Sequence, residues 1–282
     1  TQPVIIENSI IRGQNDCIAS VLTGANVTVR NCVGLSRNTT QAGKPGGRFL
    51  NLYQPASVVV ENNSISGGSG IYTNGSAPGG TTTYRVRFNR MRNINGLLSD
   101  GAGGWLIERA NIPVTYFYKY QLVQINSGTF PNGAEIAWNE VVNDPFVSRP
   151  EDNFNIGSCV GTVGAPVRFH DNCVRGGCPS RPYDNTWSGT GFVVEGATTK
   201  YLDIDDNQVI GVDNVGIGIA ECDSYINVRR NRLVSAGNAY GRAMLARNRA
   251  AYSTDAGATY IVWQDNAYSW MDASNNQAGI WI

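Results

Sequence analysis

The sequence predicts an all-β fold: one single-stranded, right-handed parallel β-helix (a solenoid) of about ten coils with an Asn ladder. Three observations predict it. One phrase recurs along the whole chain: apolar, any, apolar, up to two polar residues, Asn, any, apolar. The aligned asparagines are separated by 22 to 35 residues, a spacing at which each repeat is one supersecondary unit that must stack on its neighbours to bury its apolar face. Alternation with period two marks strands throughout, and helical periodicity is nearly absent.

In chain order the phrases are VIIENSII (4–11), VTVRNCV (27–33), VVVENNSI (58–65), VRFNRM (86–91), IAWNEVV (136–142), VRFHDNCV (167–174), LDIDDNQVI (202–210), INVRRNRLV (226–234) and IVWQDNAY (261–268), with a weaker tenth in WLIERANI (105–112). They align Asn8, Asn31, Asn63, Asn89, Asn111, Asn139, Asn172, Asn207, Asn231 and Asn266. Stacked strands place equivalent residues about 4.8 Å apart, so one Asn per coil can bond to the next. Asn also tolerates the left-handed backbone of a tight corner. A second strand often precedes the phrase, as in GIYT, GLLS, GFVVE, GIGIAE, GRAMLA and GIWI. The reading is one domain over 1–282, with inserts near 34–48, 72–84, 143–166, 175–190 and 247–259; in repeat proteins such inserts collect on one face and serve binding.

Composition excludes several classes. Twenty-two basic and 22 acidic residues cancel, so nothing attracts nucleic acid or anionic lipid. No apolar run reaches the roughly 18 residues of a membrane helix. Six cysteines without a C-x-x-C pair, and a single histidine, point to disulfides rather than zinc; Cys173 and Cys178 bracket a short turn and can close a loop. Few lysines, many Asn and Gly, and disulfides together predict a secreted or cell-surface setting.

The repeat grammar resembles the right-handed parallel β-helix proteins of the pectate-lyase-like superfamily over essentially the whole chain. Within it, NEVVNDPFVSRPEDNFNIG (139–157) is similar to a segment recurring in secreted β-helix-repeat proteins. The resemblance implies a groove for an extracellular polysaccharide and, if the protein is an enzyme, a polysaccharide lyase or glycoside hydrolase. The R-x-P-x-x-R of pectate lyases, the polygalacturonase G-H-G signature and the D-P-H of alginate epimerases are absent.

Alternation sends Val167, Phe169, Leu202 and Ile204 inward, leaving Arg168, His170, Asp203 and Asp205 outside, and Asn227 and Arg229 in the next coil. Stacking then predicts two outer columns, Arg168–Asp203–Asn227 and His170–Asp205–Arg229. In the catalytic reading His170 is the base or acid, Asp203 and Asp205 are an acid pair about 7 Å apart, and Arg168 and Arg229 hold substrate carboxylates. In the competing reading, opposite charges on neighbouring coils merely neutralise each other. Glu195 and Glu221 end preceding strands and form a second acidic column, where calcium could bind; no other cofactor is expected. Tyr116, Tyr118, Tyr120 and Trp187 are candidate sugar-stacking rings.

A structural function competes with the enzymatic one. Val4 and Ile6 at one end, and Ile280, Trp281 and Ile282 at the other, continue the coil grammar across a head-to-tail junction, so copies could stack into a filament. A phage-type adhesin or depolymerase domain, which would trimerise, is the third expectation.

Overall fold

A computed structural model describes residues 2–36, 40–106, 119–145, 147–177, 188–220, 222–236, 242–246, 261–271, 274, 276–277 and 280–281. Among these described residues, 27 strands form three nine-stranded sheets, and every strand pairing within them is parallel. No helix occurs among the described residues. Each strand pairs with the strands three places before and after it, so the chain visits the first, second and third sheets in turn. The first sheet runs from Val4–Glu7 to Ile261–Gln264, the second from Ile10–Gly13 to Ala267–Met271, and the third from Ile18–Ser20 to Ile280–Trp281.

The three sheets enclose one apolar core. Along the third sheet, Leu50, Ile71, Val123, Phe154, Phe192, Ile217 and Met244 stack in register and are buried. Phe154 and Phe192 lie face to face at 4.6 Å, with Phe169 from the first sheet meeting Phe154 edge-on at 5.9 Å. Neighbouring positions of parallel strands are equivalent, so like residues meet like, and a column of large apolar residues fills the interior.

Every link from the first sheet to the second is two residues long, from Asn8–Ser9 to Asp265–Asn266. The first residue of each pair is left-handed, with φ between 53° and 58° from Asn8 through Asp265. The second carries the ladder. Asn63, Asn89, Asn139, Asn172, Asn207, Asn231 and Asn266 are joined Nδ2 to Oδ1 at 2.9–3.0 Å. Each Oδ1 also accepts the backbone N–H of the preceding rung, and each Nδ2 also donates to a first-sheet carbonyl, as Asn139 does to Val86 O at 2.8 Å.

Three expectations are corrected here. Asn8 and Asn31 occupy the left-handed corner, not the ladder; Ser9 and Cys32 hold those rungs, and the Cys32 N–H donates to Asn63 Oδ1 at 2.9 Å. Asn111 lies outside the described residues, and Asn89 donates directly to Asn139 at 3.0 Å, so these two are successive rungs. GLLS forms only isolated bridges, and the third-sheet strand of that repeat is Val123–Asn126. Among the expected inserts, 143–166 contains the buried strand Asp152–Gly157, and 72–84 shrinks to a link between Ser69–Asn74 and Thr83–Arg87. The 247–259 stretch lies outside the described residues. No disulfide joins the described cysteines; Cys32, Cys159 and Cys222 are buried, and Cys178 is outside them. Burial pushes the Cys159 thiol up to about 12.

The corner and the ladder make separable contributions. Asn139→Ala strands the amide of Asn89 and the Val86 carbonyl inside the protein, and is expected to cost about 3 kcal/mol. Asn31→Ala loses mainly left-handed tolerance, at about 1 kcal/mol. Urea unfolding midpoints of the two variants check the contrast.

Candidate functional site

While links from the first sheet to the second never vary, those from the second to the third include 37–47, 93–122, 143–151 and 176–189, each leading into the start of a third-sheet strand. Loops carried on a rigid scaffold are where binding groups concentrate.

Across the outer face of that sheet, Asn51, Tyr72, Gln124, Asn155 and Val193 form one column in register. Asn74, Asn126, Gly157 and Glu195 form the next. The Arg48 guanidinium sits 4.1 Å from the centre of the Tyr72 ring, and Asn126 donates to the Tyr72 hydroxyl at 3.3 Å. Tyr72, Asn74, Asn126, Ser158 and Glu195 line an open cavity of about 570 Å³. Its walls combine an aromatic ring with amides and one exposed carboxylate.

Glu195 borders an acid cluster. Asn155 Nδ2 donates to Asp152 Oδ2 at 3.1 Å and to Glu195 Oε1 at 3.2 Å. Two hydrogen bonds from one nitrogen hold those oxygens within about 6 Å. Asp152 pairs with Thr190 and Phe154 with Phe192, and Asn153 Oδ1, between them, accepts from Asn143 Nδ2 at 2.8 Å. Glu151 accepts from Gln121 Nε2 at 2.8 Å and pairs with Lys119 at 3.3 Å.

Burial, and then the charge of Glu151, holds the Asp152 carboxyl well above its ordinary 3.8; the bond from Asn155 opposes this only in part. Burial also raises Glu151, against the nearby Lys119 ammonium. A protonated carboxyl is a donor and needs an acceptor. In the same cluster Gln121 Oε1 and Asn155 Oδ1 are buried and accept no hydrogen bond. The arrangement therefore sets a buried carboxyl, raised by its surroundings, beside an exposed one, and carboxyls in such unequal environments are what acid–base chemistry uses.

The predicted first-sheet columns are present. Arg168 stands beside Asp203 and Asp203 beside Asn227; His170 stands beside Asp205 and Asp205 beside Arg229. They are not open to solvent as expected: Asp203 is 9% exposed, His170 6% and Asp205 1%, because stacked neighbours cover them. Asp205 takes a two-pronged bond from Arg229 at 3.1 Å, and Asp203 accepts from Asn227 at 2.7 Å. His170 contacts Asp171 at 2.8 Å and Glu135 at 3.3 Å. Further along, Arg30 pairs with Glu7, and Arg87 with Glu61 and Glu135. Asp206, at the corner, is lowered chiefly by its bond with Arg230.

Tyr120 is buried, not an exposed platform; its hydroxyl donates to Gly46 O at 2.6 Å. Val194 pairs with Ile219, which puts Ala220 rather than Glu221 next to Glu195. Tyr116, Tyr118, Trp187, Glu221 and Ile282 lie outside the described residues. Val4 and Ile6 pair with Val27 and Val29 in the outermost first-sheet strand, and Ile280 and Trp281 with Met244 and Leu245. Among the described residues, no group of three or more His, Cys, Asp or Glu converges to hold a metal ion.

Tyr72, Glu151, Asp152 and Asn155 escaped the sequence reading. The signal present was the adjacent Glu151–Asp152 pair opening EDNFNIG, acids placed against an alternating strand. No family model, curated protein or solved structure matches the chain.

The raised acids set a pH slope. The folded state binds more protons than the unfolded one once pH exceeds the ordinary values of 3.8 and 4.5, so their contribution to stability falls as pH rises from there toward the folded values. Asp152→Asn is expected to flatten that fall and to stabilise the protein at neutral pH by about 1 kcal/mol or more. Thermal midpoints across the pH range test it; an unchanged slope would show that Asp152 does not carry it.

Proposed function

We propose that the three sheets are faces of a right-handed parallel β-helix of nine coils, of the pectate-lyase-like kind, that binds and depolymerises an extracellular polysaccharide on its third sheet. The observation that carries this reading is Glu195, which lines the Tyr72 cavity and is joined through the Asn155 amide to the buried Asp152 carboxyl behind it. Connections between parallel strands of one sheet are almost always right-handed. A long face lined by amides and an aromatic ring suits an extended sugar chain, whose rings have apolar faces and hydroxyl rims. Glu195, exposed at the cavity, is the carboxylate that meets the sugar. Asp152 and Glu151, screened from water, set the charge around it. On this reading the first-sheet columns neutralise stacked charge, and His170 takes no part in chemistry.

Neutral, uronate-containing and sulfated polysaccharides, assayed with and without calcium for new chain ends, form the test. Glu195→Gln is expected to lower the rate by about a hundredfold, and Tyr72→Ala to weaken binding by about tenfold. His170→Ala should leave both within about twofold. Full activity in Glu195→Gln with loss in His170→Ala would return the site to the first sheet. Failure to bind any of the polysaccharides would remove the reading.

A further inference from the structure

Charge pairing on the first sheet is nearly complete, and its exception is localised. Arg30, Arg87, Arg229 and Arg230 each pair with an acid. Arg85 and Arg168, both exposed, make no ion pair among the described residues. The reason lies in their neighbours. Glu135 stands between them in register, but its oxygens are taken by Arg87 at 3.2 Å and His170 at 3.3 Å, both from the adjacent column. Asp203, on the other side of Arg168, is held by Asn227 at 2.7 Å and faces Arg229 at 3.6 Å. Both arginines therefore keep their full donor capacity, and their backbones stand two strand spacings apart, about 10 Å.

They also share a cavity. Arg85, Arg168, Thr82, Asn132, Glu135 and Pro166 line an open hollow of about 540 Å³ at the start of the first-sheet strands. Since Val167 pairs with Leu202 and Leu202 with Ile226, the next positions in the Pro166 column are Tyr201 and Tyr225. Their rings stack at 4.9 Å, and Tyr225 is 47% exposed. The two residues hold φ of 56° and 58°, a conformation uncommon for large side chains.

We propose that this hollow is a second, non-catalytic glycan site, in which Arg85 and Arg168 bind the oxyanion of an acidic saccharide, a carboxylate or a sulfate ester, while the Tyr201–Tyr225 stack carries a neighbouring sugar ring. Guanidinium forks match both oxyanions, and a stacked aromatic pair matches the apolar face of a sugar. A nucleic acid fits less well. Its continuous phosphates would meet Glu61, Glu135, Asp203 and Asp205 around the two arginines, on a chain of zero net charge.

The test is calorimetric titration of the whole chain with three oligosaccharides of equal length, one uronate-bearing, one sulfated and one neutral, and with a short DNA duplex. The Arg85→Gln/Arg168→Gln double variant alters only exposed side chains, and its circular dichroism and melting temperature check that it folds. Binding of the uronate or the sulfated oligosaccharide, weakened about tenfold or more in the double variant and at least several-fold in Tyr225→Ala, is expected; the better of the two names the oxyanion. Neutral-oligosaccharide binding should be unaffected by the double variant. No binding of either acidic oligosaccharide, binding unchanged in the double variant, or tighter binding of DNA would each overturn the proposal. Acidic-oligosaccharide binding that is lost in Tyr72→Ala and kept in the double variant would assign that ligand to the third sheet, refuting this site while leaving the proposed function intact.

Discussion

The two-residue corner between the first and second sheets is the constraint from which the rest follows. Its first residue must be left-handed and its second must satisfy two buried backbone groups of the preceding repeat, an N–H and a carbonyl, while bonding the side chain of the rung before it. An Asn side chain can do this because its amide offers a donor and an acceptor of fixed geometry. Repeated from Asn63 to Asn266, it sets the register of strands whose own side chains specify register less strongly, and the core columns align because the corners do. Where Cys32 holds the rung, its N–H still donates to Asn63, but its thiol reaches the Ile6 carbonyl only at 3.8 Å.

The left-handed position beside the ladder is more permissive. It accepts Asn and Asp, which visit that region readily, but also Phe88 and Trp138, which do not. These two rings stack at 5.1 Å and 8°, and Trp138 meets His170 edge-on at 5.0 Å. Contact between adjacent corners offsets local strain, by an amount comparable to the strain itself. The histidine singled out as a catalytic candidate is thus fixed between an aromatic ring and two carboxylates.

Stacking also decides the electrostatics. On a parallel sheet every outward charge meets the equivalent residue above and below, so like charges in one column would be costly. The first sheet avoids this by alternation, running Glu7, Arg30, Glu61, Arg87 and later Asp205, Arg229. The third sheet does not. Glu151, Asp152 and Glu195 crowd together, Lys119 is the cation that pairs with Glu151 among the described residues, and burial raises Asp152 and Glu151 above their ordinary values. Strongly perturbed acids of this kind cluster at functional sites, which makes this group the candidate site.

Strand periodicity, parallel stacking and most of the ladder were legible in the sequence because they are local and repeat: the phrase VRFHDN states its own alternation and its own corner. The pairing of Arg168 with Asp203 and of His170 with Asp205 followed from that register alone. Three things needed the tertiary structure. Which asparagines form successive rungs depended on Asn89 reaching Asn139, fifty positions further along the chain, which no local pattern encodes. Whether Asp205 faced water depended on the side chains stacked beside it. The acid cluster depended on the pairing of Asp152–Gly157 with Thr190–Glu195, which brings Asp152 and Glu195 to the same Asn155 amide. Alternation sets which way a side chain points from its own strand; which neighbours it meets, and what they cover, is set by how the intervening chain closes.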